Sequence, residues 1–144
     1  MDLTESQTIM FIEVLHILRN NENIVARKKI YEAYMDKQLD NYQSLDNQTQ
    51  LFVEKLYGDF DEIGFLVEEF DIKDKLFGLY SDTIRRVWIA LQNNIEQEKN
   101  KRKKNDPSSE QFGYYFSQLA NEAKKYRDKN NLKEPGFTDF RNSM

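Results

Sequence analysis

The sequence predicts an all-α fold, a single-domain bundle of five main helices plus one short connecting helix. Three observations predict it. Apolar residues recur at steps of three and four along most of the chain, capping sequences stand ahead of those runs, and no stretch alternates with the period of two that a half-buried strand requires. The 144 residues suffice for one ordinary domain, and ten Phe, eight Tyr and one Trp supply enough ring surface for a substantial core.

Thr4-Glu5-Ser6-Gln7 has the form of a capping box, so the first helix starts there. From Ile9 to Leu18 only Glu13 and His16 interrupt an apolar run, which predicts a helix that is central in the fold or shared with a second subunit. Asn20-Asn21 ends it. Asn23 is placed to cap a second helix reaching about Leu39, with Tyr31, Tyr34, Met35 and Leu39 inward and Arg27, Lys28 and Lys29 mostly on the wet side. Ser44-Leu45-Asp46 caps a third helix whose stripe reads Phe52, Leu56, Phe60, Ile63, Val67, Phe70. Gly58 and Gly64 each cost this helix roughly 1 kcal/mol against Ala, and close approach of a neighbouring helix would compensate.

A break near Asp71 precedes the short helix, about Lys73 to Leu79, and Ser81-Asp82-Thr83 reads as the next cap. The fourth main helix carries Ile84, Val87, Trp88, Leu91 and Ile95, with Trp88 in the core, then runs polar through Lys104. Asp82–Arg86 and Glu98–Arg102 are favourable pairs four residues apart. After Asp106-Pro107, Ser108-x-x-Gln111 opens the last helix, with Phe112, Tyr115, Phe116, Leu119, Ala123 and Tyr126 inward. Glu134-Pro135-Gly136 breaks regular structure. The expected division is a bundle over 1–130 and a C-terminal tail over 131–144 that contains Phe137 and Phe140.

The net charge of −4 disfavours a protein that coats nucleic acid with its whole surface. The charge is divided, however: residues 1–80 hold eight basic and sixteen acidic side chains, net −8, and residues 81–144 hold thirteen and nine, net +4. No segment is long and apolar enough to span a membrane and no secretory signal is visible, so a cytoplasmic protein without membrane association is expected. The lack of Cys agrees with a reducing compartment.

The same inventory narrows the chemistry. With no thiol and one imidazole, cysteine nucleophiles, soft-metal sites and multi-histidine metal centres drop out. There is no Gly-x-Ser-x-Gly elbow and no phosphate-binding glycine loop. Glu13-Val-Leu-His16 matches the Glu-x-x-His ligand pair of di-metal bundles, which only a symmetric dimer could complete; the plainer reading packs His16 among Leu15, Ile17 and Leu18. The carboxylates from Asp59 to Asp74 fail the EF-hand pattern, because Ile63 and Phe70 fall where ligands belong; they read as a solvated helix face or an acidic docking patch. Lys99, Lys101, Arg102, Lys103 and Lys104 form the one basic run. It reads as a solvated helix end that complements the helix dipole, or as a nonspecific phosphate-binding stretch with no aromatic inside it to stack a base. Tyr31, Tyr34, Tyr42, Tyr114 and Tyr115 suit either a core margin or an interface.

Asp61-Glu62-Ile63-Gly64-Phe65-Leu66-Val67, Asp71-Ile72, Ile84-x-x-x-Trp88-x-x-Leu91-x-x-x-Ile95 and Tyr115-Phe116-x-x-Leu119-Ala120 resemble, over roughly residues 24–127, a family of small helical bacterial proteins classed as a domain of unknown function. The resemblance implies a helical fold and contributes no catalytic residues. The expected function is that of a non-catalytic protein-interaction module with no cofactor and no metal. Phe11, Val14 and Leu18 are the candidates for self-association as a homodimer, and Glu68, Glu69 and Asp71 for a basic partner. The alternative is a regulator or phage-type inhibitor acting on nucleic acid or a nucleic-acid enzyme, through the acidic face or the 99–104 cations.

Overall fold

The computed structural model describes residues 2–107 and 111–137, and within them the fold is a single all-α bundle of five helices. These are α1 (Glu5–Arg19), α2 (Asn21–Met35), α3 (Asn47–Phe70), α4 (Lys73–Asn105) and α5 (Tyr114–Lys129), with two 3-10 turns, Gln38–Asp40 and Tyr42–Ser44, between α2 and α3. α3 is the hub. Its inner stripe of Val53, Leu56, Phe60, Ile63 and Val67 is buried, and α1, α2, α4 and α5 all pack on it.

The caps explain the boundaries. Thr4 and Gln7 form the reciprocal capping box, with the Gln7 amide donating to the Thr4 hydroxyl at 3.1 Å and the Thr4 amide donating to the Gln7 side chain at 2.9 Å. Asn20, not Asn23, caps α2: its side-chain oxygen accepts from the Glu22 amide at 2.8 Å, which makes one residue both the stop of α1 and the start of α2. Asn23 lies one turn further on, fully buried, and donates to Asp59 of α3 at 2.8 Å. α2 ends at Met35 rather than near Leu39, and the left-handed Lys37 (φ 58°) turns the chain into the 3-10 segment. Asp46 caps α3 through the Thr49 amide at 2.7 Å, and left-handed Asp71 ends it.

The short connecting helix and its successor are one helix. Leu76, Phe77, Ser81 and Ile84 keep a single buried phase across the expected cap, so nothing interrupts the backbone; Ser81 is buried, and Arg127 Nη1 donates to its hydroxyl at 3.1 Å. α4 is therefore 33 residues, about 50 Å long at 1.5 Å per residue. The last helix begins at Tyr114, after Gly113 at φ +72°, and not at Ser108, which lies outside the described residues. Its N-terminus is capped from another helix: Gly113 has no side chain, and Asp61 of α3 accepts from the Phe116 amide at 3.0 Å. One turn along, a Cβ on Gly64 would meet the Tyr115 carbonyl oxygen within 2.3 Å, so α3 and α5 approach as closely as only glycine permits. Gly58 does not share this role, because nothing lies within 4 Å of the Cβ position there.

The segment expected as a separate tail is strapped to the bundle as far as Phe137. Arg127 donates to the Lys133 carbonyl at 3.0 Å, Arg85 makes two hydrogen bonds to the Glu134 carboxylate at 2.9 and 2.6 Å, and Arg86 donates to the Gly136 carbonyl at 2.8 Å. The Phe137 ring then sits 5.7 Å from that of Tyr31 and 4.6 Å from that of Tyr34. Phe140 lies outside the described residues.

Candidate functional site

Two surfaces gather candidate functional side chains. The first lies where α3 crosses α5. Phe65, Tyr115 and Tyr114 form a chain of rings with centroids 5.3 Å apart at each step, and Phe65 and Tyr114 are each 41% exposed. Glu62, Glu68 and Glu69, three or four residues from Phe65 on the same helix, are all exposed. The backbone beneath the rings is closely held, since Gly64 abuts the Tyr115 backbone and Asp61 accepts from the amide of the next residue, Phe116.

The second is a cleft of about 680 Å3 between the 38–44 segment, the first half of α3 and the second half of α4. Tyr42, Tyr57 and Phe112 form its apolar walls, with the Tyr57 and Phe112 rings edge to face at 5.8 Å. Asp40, Glu54 and Glu98 supply carboxylates, and Lys101 and Arg102 line it as well. Burial, reinforced by Glu54 and Glu98, holds the Tyr42 hydroxyl above the ordinary tyrosine range. Burial raises Tyr57 further, with Tyr42, Glu98 and Glu54 adding to it.

The structure redistributes the residues singled out from sequence. Val14 and Leu18 are fully buried, so they belong to the monomer core and are not free for self-association; Phe11 packs against the same core. α1 is thus not apolar all round in use: it lies at the edge of the bundle and leaves Ile9 and Ile12 exposed. His16 and Glu13 are exposed on its outer side, and His16 is not packed among Leu15, Ile17 and Leu18. Among the described residues no group of three or more His, Asp or Glu side chains could hold a metal ion.

Glu68, Glu69 and Asp71 are exposed. The neighbouring acids are committed to structure, with Asp61 on α5 and Asp59 held by Asn23 and, at 3.2 Å, by Lys55. In the basic run, Arg102 pairs with Glu98 at 2.8 Å and lies 4.2 Å over the Phe112 ring. Lys99 is half-buried, and Lys101, Lys103 and Lys104 are exposed. Trp88 is half-buried against Phe116, with ring centroids 5.1 Å apart. Tyr34 and Met35 are exposed rather than inward.

Sequence reasoning missed the buried arginines. Arg27, Arg85 and Arg86 are each less than 10% exposed, and Arg27 is not on the wet side but donates to the last-turn carbonyl of Leu18 at 2.9 Å. It missed Asn94 and Tyr57 of the cleft as well. The available signal was polar residues in phase with the apolar stripe: Asn23 and Arg27 alternate with Ala26 and Ile30, and Asn94 follows Leu91 by three.

No protein-family model matches this chain, and no curated protein or solved structure matches it. No helix among the described residues is long and apolar enough to cross a membrane.

Proposed function

We propose that the protein is a non-catalytic interaction module that docks a basic segment of another protein on the α3–α5 face. The observation that carries this reading is the exposed ring chain Phe65–Tyr115–Tyr114 set among Glu62, Glu68 and Glu69. Aromatic rings that stay exposed beside carboxylates offer one partner chemistry two holds. A guanidinium stacks on the ring face, worth about 0.5–1 kcal/mol at an exposed site, and its neighbours pair with carboxylates at about 0.2–1 kcal/mol each. The acidic field also steers a basic chain toward the face. Rigid support by Gly64 and Asp61 lowers the ordering cost of binding.

The test uses a fluorescently labelled amphipathic peptide of Arg and Leu. Binding that weakens about two- to fivefold on Phe65→Ala, and by at least a similar factor on Glu69→Lys, supports the reading. Absence of binding at low salt, or binding indifferent to both substitutions, overturns it.

A further inference from the structure

We propose that the groove beneath the 131–137 strap is a docking site for a linear segment of another protein, one that carries a carboxylate three residues ahead of an aromatic ring, and that Glu134-Pro135-Gly136-Phe137 is its resident stand-in. The groove is built by α5, α4 and α2 and shares no residue with the α3–α5 face, so it is independent of that reading.

Each of the three arginines that hold the strap is itself held by the bundle through Nη1 and turns its Nε to the strap. Arg127 Nη1 donates to the Ser81 hydroxyl at 3.1 Å, and Arg85 Nη1 donates to the Ala120 carbonyl at 3.2 Å. Arg86 Nη1 stands 3.9 Å from the Asp82 carboxylate, and its guanidinium lies 5.8 Å over the Tyr31 ring. The three Nε groups then donate, in order along the strap, to the Lys133 carbonyl, the Glu134 carboxylate and the Gly136 carbonyl. None of the anchors belongs to the strap. The donors are therefore aimed by the bundle and stay aimed when the strap leaves, which lowers the ordering cost for any segment that replaces it.

Two of these three positions read only a main-chain carbonyl, which every segment offers. Selection rests on the other contacts, a carboxylate gripped by Arg85 at 2.9 and 2.6 Å and a ring set 5.7 Å from Tyr31 and 4.6 Å from Tyr34. Main-chain bonds that give affinity, with spaced side-chain contacts that give specificity, are how sites for linear peptides work. The partner chemistry follows from the spacing of 134 and 137, acid-x-x-aromatic. Arg85, Arg86 and Arg127 also lie in the half of the chain that carries net +4, which favours an acidic segment.

The strap is suited to exchange. Residues 132–136 belong to no helix, no strap residue is buried, and only Pro135 and Phe137 are half-buried. The helices it crosses pack directly on one another, α5 on α4 and α4 on α2, so the strap can lift without separating them. Being tethered, it competes at an effective concentration on the order of millimolar, which makes it a brake on the site.

The experiment is an NMR titration of the full chain with the end-blocked peptide Leu-Lys-Glu-Pro-Gly-Phe, the sequence of 132–137, read at the Arg85 and Arg86 Nε–H groups and the Tyr34 ring. The double variant Glu134→Gln/Phe137→Ala loosens the strap through two residues that are not buried, and it should bind the peptide with Kd of about 1 mM or below, at least about fivefold tighter than the wild type. A peptide with Ala in place of Phe should bind it at least about fivefold more weakly. Adding Arg85→Gln to the double variant should abolish binding, and adding Tyr34→Ala, at an exposed position that does not threaten the fold, should weaken it about two- to fivefold. Failure of the peptide to saturate the double variant, equal affinity for the double variant and the wild type, or equal binding of a scrambled peptide overturns the proposal. A wild-type dimer that Phe137→Ala dissociates also overturns it, because the occupant would then be the strap of a second copy.

Discussion

The two glycines of α3 make the same substitution, six residues apart, change stability in opposite directions. In Gly64→Ala the new methyl would lie 2.3 Å from the Tyr115 carbonyl oxygen and 2.7 Å from its carbon. Both are backbone atoms, so no rotamer change relieves the overlap. Reaching ordinary separation requires α3 and α5 to part by roughly 1 Å, which disturbs the ring chain and the Asp61 cap. Overpacking of this kind costs about 1–3 kcal/mol, occasionally more, and helix propensity returns only about 1 kcal/mol. The upper end of that range applies to an overlap with backbone atoms, and the resulting net loss of up to about 2 kcal/mol lowers the melting temperature of a chain this size by up to about 7 °C.

At Gly58 the new methyl meets nothing within 4 Å, so Ala keeps the propensity gain of up to about 1 kcal/mol and raises the midpoint by about 2–3 °C. Urea and thermal unfolding followed by circular dichroism measure both. If Gly64→Ala is as stable as Gly58→Ala, the close crossing of α3 and α5 is wrong, and with it the rigid support claimed for the docking face.

The same crossing depends on a borrowed cap. Asp61→Ala leaves the Phe116 amide unsatisfied and removes a carboxylate from the N-terminus of α5, a loss of about 1–2 kcal/mol in urea unfolding, whereas Asp61→Asn recovers part of it by keeping an acceptor. The strap carries a pH dependence. Hydrogen bonds from Arg85 hold the Glu134 carboxyl below its ordinary value, against the opposing effect of partial burial. A depressed carboxyl stabilises docking fully above the ordinary glutamate value and loses that contribution as pH falls through the lower bound-state value. Acidification through and below the ordinary glutamate range should therefore loosen the segment and move the ring-current-shifted Phe137 resonances toward their free positions, while Arg85→Gln should do so already at neutral pH.

What could be read from the sequence was what neighbouring residues decide. Thr4 with Gln7, and Asp46 with Thr49, form caps within one turn, and the α3 stripe needs only its own spacing. Ser81-Asp82-Thr83 misled because a capping sequence acts as a cap only where the backbone leaves the helix; here a buried stripe in unbroken phase holds it helical. Arg27 misled for a related reason. Its charge suggested solvent, but the open C-terminus of α1 gives the guanidinium a carbonyl to serve inside the bundle.

The carboxylates of the proposed docking face were legible as an acidic run, but the rings set among them were not. Phe65 meets Tyr115 only because Gly64 lets two helices touch across fifty residues of chain. The cleft was hidden by the same distance in sequence, since Asn94 meets Leu39 from 55 residues away.

The proposed docking surface is most directly tested by amide and aromatic NMR of the labelled protein titrated with the Arg/Leu peptide. Shifts concentrated at Phe65, Tyr114, Tyr115 and Glu69 are expected, fading as salt rises, with Gly58 and Asn94 unmoved. Shifts confined to the cleft or to Ile9 and Ile12 of α1, or no shifts at all, would contradict it.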